Sequence, residues 1–462
     1  MLRRLFLKLA IVLLPLALGC ADSPTDPPTE LPPKIEPEIP LQSITAADTI
    51  LGVGDVIRPK ITWNPPDASI QSYRVHSDDR SVAVINLNRI QAVGTGSTTI
   101  TVVPTDGGES KQTTFDVSVT LDKSLNKIIA NGPLPSLAAA IVKNDSLVWQ
   151  GFYGYSDVAQ GEAPTQETIY ILASISKTIT ATAAMQAWER GLLDLDADIN
   201  DYLPFEIHHP KFPETPITVR FLLKHQSGLA WPNGEDPNFY QTFPGDSAPD
   251  LGTWLKNYLV PGGSEYVAAM WLNSKPGATV SYSNVGAALL GFVVESVVGQ
   301  DFAEFCQENI FEPLEMFNSG FKLSEVDNSK LATLYDASRA VVPHYSVKFY
   351  PATTIRSSVE DFSKFLIAIL NGGEYKGKRI LQAATVNTML RIQNASGIGL
   401  IWWNQGGGYM GHNGSFFGVS SNMAVNRTTK TGVMIFTNLF NQNTVWQNGE
   451  IYNLVYREAS KF

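Results

Sequence analysis

The sequence predicts two unlike folded parts: an all-β module over residues 41–121 and an α+β domain over residues 122–462. Three observations carry this. The first part alternates apolar and polar residues with period two and is rich in β-branched residues, as in "STTITVVP" and "QTTFDVSVTL", with turn clusters such as "TDGGES" between. The second part opens and closes on strand-like segments and carries long helical stretches between them. The texture changes near residue 122, where "LDKSLNKIIANG" takes up the spacing of an amphipathic helix.

Ahead of both parts stands a leader. "MLRRLFLKLAIVLLPLALGC" has a basic start (Arg3, Arg4, Lys8), an apolar run of about ten residues, then small residues at a cleavage point. The run is too short to span a bilayer as a stable helix. Its ending "LALGC" resembles a bacterial lipoprotein signal. That resemblance implies removal of residues 1–19 and a lipid on Cys20, with an ordinary secretory signal as the alternative. "RRLFLK" also resembles the twin-arginine export signal, and the export route stays open. The expectation is an exported chain, lipid-anchored to a bacterial membrane on its periplasmic or cell-surface side. Residues 21–40, "ADSPTDPPTELPPKIEPEIP", are rich in proline and acid and predict, with Cys20 at their head, an extended tether over 20–40. Cys306 is the only other cysteine, so acylation of Cys20 leaves no intrachain disulfide. Its setting, "DFAEFCQENIF", reads as helix, with Cys306 as a small buried apolar residue.

The chain has 462 residues, 44% hydrophobic and 17% charged, which suits a globular protein with a large core. A net charge of −10 argues against a nucleic-acid partner, which leaves a basic footprint.

Within residues 41–121, "DDRSVAVINLNRIQAVGTGSTTITV" resembles the bacterial Ig-like domain of group 2, whose Ala-Val-Gly-x-Gly turn is here Ala92-Val93-Gly94-Thr95-Gly96. The resemblance implies an Ig-like β-sandwich acting as a spacer, or in adhesion to a cell wall or surface. Its glycines read as turn positions needing positive φ.

In the second part, "SLAAAIVKNDSLVWQGFYGYSD" reads as two strands around an Asn-Asp turn. A long helix follows over 174–190, with further helical stretches at 285–298, 301–311 and 358–371. "GVSSNMAVN" and "TGVMIFTN" return to strand, and a last helix falls near 446–459. The pattern predicts a sheet covered by helices, with a mostly helical insertion.

Ser174-Ile175-Ser176-Lys177 places a serine and a lysine one helical turn apart on one face. Alone, this spacing is weak; Ser124-Leu125-Asn126-Lys127 repeats it at the domain junction without chemical companions. Ser174 has companions: Tyr282-Ser283-Asn284 before an apolar helix, and His412-Asn413-Gly414 entering a strand. Ser-x-x-Lys, Tyr-x-Asn and His-x-Gly in this order resemble the serine β-lactamase and penicillin-binding protein superfamily, nearest its class C-like hydrolases and esterases. "ITVRFLLKHQSGL", "KPGATVSYSN" and "IFEPLEM" agree, and the resemblance covers residues 125–460. It implies a β-lactamase-like α+β fold, an antiparallel sheet flanked by helices plus a helical subdomain.

The resemblance also implies roles. Ser174 is the nucleophile at the start of the long helix, where unpaired N–H groups favour an oxyanion. Lys177, if buried, has its pKa lowered by desolvation. Tyr282 works with Lys177 on the protons, and which of the two is the base stays open. Asn284 orients Lys177 and binds substrate. His412, Gly414 and Ser415 line the site, with the backbone N–H groups of Ser174 and Ser415 as the oxyanion hole. The substrate is a small-molecule or peptide acyl compound, and no cofactor or metal is implied. His412 stands where many antibiotic-hydrolysing members have lysine. Mostly neutral at pH 7, it weakens the case for binding a β-lactam carboxylate. The resemblance implies acyl-enzyme formation on an ester, amide or β-lactam carbonyl, with a penicillin-binding D,D-peptidase and a true β-lactamase as alternatives; an inert surface binding protein is a further reading, against which the complete motif set stands.

The remaining motifs read as structure. Gly372–Arg379, "GGEYKGKR", imitates a phosphate loop but has Arg379 where a hydroxyl belongs. His208 and His209 are adjacent and point apart, which does not make a metal site. His225-Gln226-Ser227-Gly228 reads as structural. Trp402 and Trp403 both read as core, although alternation would let one of them line a cleft.

Overall fold

The computed structural model describes residues 37–231, 236, 238–440 and 449–462. The leader, Cys20 and the tether as far as residue 36 lie outside the described residues. Among the described residues no single helix is long and apolar enough to cross a membrane.

One antiparallel sheet organises the second domain. Its six strands run in the order Ser146–Gly154, Ser136–Lys143, Thr431–Thr437, Val419–Asn426, Tyr409–Phe416, Trp403–Gly406. The first and last strands of the domain are therefore neighbours, with Leu137–Lys143 paired to Thr431–Thr437. The opening hairpin turns at Asn144, whose φ of 53° is the left-handed value such a tight turn needs. The strands Val419–Asn426 and Thr431–Thr437 are buried throughout, because helices cover both faces.

Period-two alternation divides "SLAAAIVK" between two cores. Ala138, Ala140 and Val142 face the larger one, shared with the helices Ser176–Glu189, Asn284–Val298 and Val359–Leu370. Leu137, Ala139 and Ile141 face a smaller one, closed by the helices Leu121–Asn131 and Glu450–Ala459. Helix Ser176–Glu189 is buried from Ser176 to Ala187, which fits its lack of a polar face. Its apolar neighbour Asn284–Val298 ends at Gly299, at φ 69°. The stretch 301–311 is a short α-helix, Phe302–Cys306, continued by a π turn, Gln307–Phe311. Cys306 is buried there, and burial pushes its thiol pKa well up. "GGEYKGKR" folds as a small hairpin, with Glu374–Tyr375 paired to Lys378–Arg379.

The first module is all-β. Thr49–Leu51, Thr113–Val119, Gly96–Pro104 and Tyr73–Ser77 form one sheet, and Val56–Ile57, Arg89–Ala92 and Ala83–Asn86 a second. Ile90, Ile100, Val102, Phe115 and Val117 fill its core. The glycine expectation is corrected in part. Gly96 has φ 140°, but Gly94 does not need a positive φ: a Cβ there would lie 2.5 Å from the Ser81 carbonyl oxygen.

The second Ser-x-x-Lys pair is a joint between the parts. Ser124 Oγ accepts from the Val53 N–H at 2.9 Å and donates to the Thr120 carbonyl at 2.8 Å. Lys127 pairs with Asp55. The C-terminal helix adds Arg457 to the Val93 carbonyl at 3.3 Å and Lys461 to the Thr95 carbonyl at 2.6 Å. The module thus packs against the two helices that cover the sheet face opposite helix Ser176–Glu189.

The tryptophan pair separates. Ile401, at φ 72°, resets the chain just before it and is held there by its N–H on the Leu223 carbonyl at 2.7 Å. Trp402 is fully buried and stacks on Phe365 at 6.4 Å, whereas Trp403 is half-buried beside His225. The expectation of core for both holds for Trp402 alone. Trp402→Ala should lower stability by about 3–5 kcal/mol in urea titrations, and Trp403→Ala by much less.

Candidate active site

Ser174 lies where the chain leaves a short strand and enters the central helix. Tyr170–Ile171 pairs with Arg356–Ser357, a single 3-10 turn spans Ala173–Ile175, and the helix begins at Ser176. Ser174 therefore precedes the helix rather than opening it. Ala173 has φ 48°, a left-handed value that costs a residue with a Cβ about 1–2 kcal/mol. Neighbours hold it in place. Leu172 N–H donates to the Ile355 carbonyl at 2.8 Å, and Ser421 Oγ to the Leu172 carbonyl at 2.7 Å. Ser176 Oγ donates to the Ala173 carbonyl at 2.6 Å and accepts from the Ile355 N–H at 2.9 Å. Ser174 is left half-exposed between buried neighbours.

Gly414 lets the sheet reach this turn. A Cβ at 414 would lie 2.2 Å from the Leu172 carbonyl oxygen and 2.3 Å from Ser421 Oγ. Its strand pairs with Val419–Asn426 along one edge, but on the other its pairing with Trp403–Gly406 stops at Gly411. The edge carrying His412, Gly414 and Ser415 is thus free of a strand partner and borders the Ser174 turn.

Lys177 Nζ is 3.0 Å from Ser174 Oγ and donates to the Ala352 carbonyl at 2.7 Å. It is fully buried, and desolvation holds its pKa well below 10.5. One N–H is thus fixed on a carbonyl while the amine faces the serine hydroxyl. Tyr282 lies across the same space. Its ring centroid is 4.9 Å from Lys177 Nζ and its hydroxyl bonds with Ser174. Burial pushes the Tyr282 pKa up, and the bond to Ser174 pulls it partly back.

Asn284 is the first residue of its helix and is buried, but its Oδ1 has no hydrogen-bond partner among the described residues. The hydrogen bonds of Lys177 run to Ser174 and Ala352. The orienting bond expected from Asn284 is therefore supplied by the Ala352 carbonyl.

His412 is buried, 5.9 Å from the Tyr282 ring. Its Nδ1 is 2.6 Å from the Asn413 carbonyl oxygen, which can only accept, so Nδ1 carries the proton. Nε2 then holds a lone pair, buried and unpartnered among the described residues. Desolvation first, and Lys177 second, push the His412 pKa down to about 3.

The residue that sequence reasoning set aside is His225. Its carbonyl accepts from the Ser281 N–H at 2.7 Å and its Nδ1 from the Ser283 N–H at 3.3 Å, one residue either side of Tyr282. Its ring packs on Tyr282 at 4.6 Å, and its φ is 52°. Desolvation, then Lys177 and His412, hold it neutral, which keeps Nδ1 an acceptor. "KHQSGL" gave its position but not this contact, which a separation of 58 residues hides. His209 is buried and His208 exposed, and no group of three or more His, Cys, Asp or Glu able to hold a metal occurs among the described residues.

An antiparallel sheet under a buried helix, with Ser, Lys and Tyr converging where that helix begins, defines the serine-hydrolase fold of β-lactamases and penicillin-binding proteins. Residues 121–456 match the Beta-lactamase family model, and the chain belongs to that family. Protein flp of Staphylococcus aureus (strain N315) is 25% identical over 334 residues, 71% of this chain and 64% of that protein. The chain thus spans just under two thirds of the length of that relative. Among solved structures, a class C beta lactamase from Rhodobacter sphaeroides matches with TM-score 0.55 and 22% identity, covering 72% of this chain and 96% of its own. A Beta-Lactamase/D-Alanine Carboxypeptidase from Pseudomonas syringae matches with TM-score 0.57 and 21% identity, over 72% and 95%. At these identities the likeness is one of fold.

Two predictions follow from the histidines. A free histidine protonates near 6.5, but folded His412 stays neutral to about 3. As pH falls below 6.5 the unfolded chain therefore binds protons that the folded chain refuses. Stability should drop by up to about 1.4 kcal/mol per pH unit from this group. Urea titrations at pH 7, 5.5 and 4 should show the drop, with a shallower slope in His412→Gln. At His225, alanine should lower turnover at least about tenfold by releasing Tyr282, whereas asparagine, which tolerates positive φ and offers an acceptor, should restore much of it. Steady-state kinetics of both variants, with circular dichroism for folding, tests this.

Proposed function

We propose that this protein is an exported serine hydrolase that acts by two-step acyl transfer on an ester or amide carbonyl. The carrying observation is Ser174 Oγ 3.0 Å from the amine of a fully buried Lys177. A serine hydroxyl at its own pKa is a poor nucleophile, and a desolvated lysine beside it is a base. Ser174 attacks the carbonyl carbon while its proton passes to the Lys177–Tyr282 pair. The N–H groups of Ser174 and Ser415 receive the oxyanion, each worth about 2.7–4 kcal/mol of barrier in comparable sites. Tyr282 returns the proton to the leaving group, and water then releases the acyl group from Ser174.

Esterase or D,D-peptidase-type chemistry is favoured over β-lactam hydrolysis. A neutral His412, with its Nε2 lone pair unpartnered among the described residues, offers no charge to a β-lactam carboxylate. The penicillin-binding D,D-peptidase and the true β-lactamase are the alternatives, and the carboxypeptidase and β-lactamase names of fold neighbours support keeping them. The intact set Ser174, Lys177, Tyr282, Asn284 and His412 speaks against an inert binding lipoprotein.

Cys20 carries the lipid and residues 20–40 the tether in this reading. The β-module over 41–121 is an Ig-like spacer; its all-β build and the Ala-Val-Gly-x-Gly segment support it. Ser174→Ala should abolish turnover of chromogenic esters, by at least about a thousandfold, without loss of thermal stability. Retained turnover in Ser174→Ala would falsify the assignment. Mass spectrometry after incubation with penicillin, a cephalosporin and an ester separates stable labelling from turnover.

A further inference from the structure

We propose that the site selects substrates with an aromatic acyl group and no carboxylate near the scissile carbonyl. This rests on the hydrolase reading above. From Tyr282 a belt of rings runs across the site: Trp231 at 5.4 Å, then Tyr240 at 6.4 Å, Phe416 at 6.0 Å and Phe417 at 4.8 Å, each measured from the ring before. Its two ends differ in kind. Tyr282 touches Ser174, while Phe416 follows Ser415 on the strand edge that borders the Ser174 turn.

An acyl carbonyl held by the Ser174 and Ser415 N–H groups would therefore run its substituent past Phe416. The belt is not sealed in the core. Trp231 is 43% exposed and Phe417 45%. Tyr240 between them is half-buried and Phe416 is buried, so the belt opens to solvent at Trp231 and Phe417, where apolar surface is available to a ligand. Ring-on-ring contact adds about 0.5–1.5 kcal/mol to the area effect, roughly a threefold to tenfold preference.

The polar groups point the same way. The buried lone pair of His412 Nε2 faces no donor among the described residues. It attracts an N–H or O–H and repels an anion. The Lys177 amine, which shares this space, is engaged by Ser174 and Ala352.

The test compares three esters with one leaving group, on the purified protein: p-nitrophenyl phenylacetate, p-nitrophenyl acetate and the mono-p-nitrophenyl ester of glutaric acid. The expected kcat/KM order is phenylacetate over acetate by about tenfold, with the glutarate monoester below both. Trp231→Ala and Phe417→Ala should each shrink the phenylacetate-to-acetate ratio at least about threefold. Both rates come from one preparation, so loss of folded protein cancels from the ratio. A wild-type ratio near one, a preference for the carboxylated ester, or ratios unchanged in both variants would overturn the proposal. So would failure to turn over any of the three. If a fluorophosphonate probe also leaves Ser174 unlabelled, the hydrolase reading falls with it. Labelling without ester turnover overturns the aromatic preference alone.

Discussion

Burial of one lysine sets the terms for the whole site. Lys177 sits inside the larger core on a helix buried on every side, so its amine has no water to stabilise a charge. Its partners are one carbonyl and one serine hydroxyl. The neutral amine is thereby favoured, and its environment reaches outward. Burial of their own rings is the first cause that keeps His225 and His412 uncharged, and any charge on Lys177 would add to it. Each of those neutral histidines then makes a hydrogen bond that its protonated or alternative form would alter. The proton map of the site follows from the burial of three side chains, Lys177, His225 and His412, together.

Strain and close approach do the remaining work. A left-handed Ala173 turns Ser174 away from the core, and Gly414 allows a strand edge to come against that turn. The two features are tied by the same atoms, since the Leu172 carbonyl accepts from Ser421 and also fills the space a Cβ at 414 would need. Strain at a reacting residue persists because the surrounding bonds over-determine it. The glycine of the third motif is thus a packing requirement, whatever the substrate.

Much of this was legible in the sequence. The sheet strands Ser136–Lys143, Ser146–Gly154, Val419–Asn426 and Thr431–Thr437, the helices near 285–298 and 358–371, and the change of texture near 122 all show in the local pattern, because period two and period 3.6 are local properties. The ordered motifs led to Ser174, Lys177, Tyr282 and His412 as neighbours. What stayed hidden depends on contacts between distant segments. The Ala352 carbonyl that holds Lys177 is 175 residues away and carries no side-chain signature. His225 reads as structural until Ser281 and Ser283 are seen to bond to it. Trp402 and Trp403 look alike until Ile401 takes a positive φ and sends them to different environments. Whether Gly94 serves a turn or a close approach likewise depends on Ser81, outside its own segment.

The coupling between Lys177 and position 412 limits how this site can diversify. A cation at 412 would draw anionic substrates, but it would also repel a proton from Lys177, which packs on the same Tyr282 ring. The base would become weaker as the site became better at holding anions. Selection for substrate charge and selection for proton affinity therefore act on the same pair of positions. A lineage that changes its substrate class at 412 must retune Lys177 at the same time, through the burial or the partners of its amine.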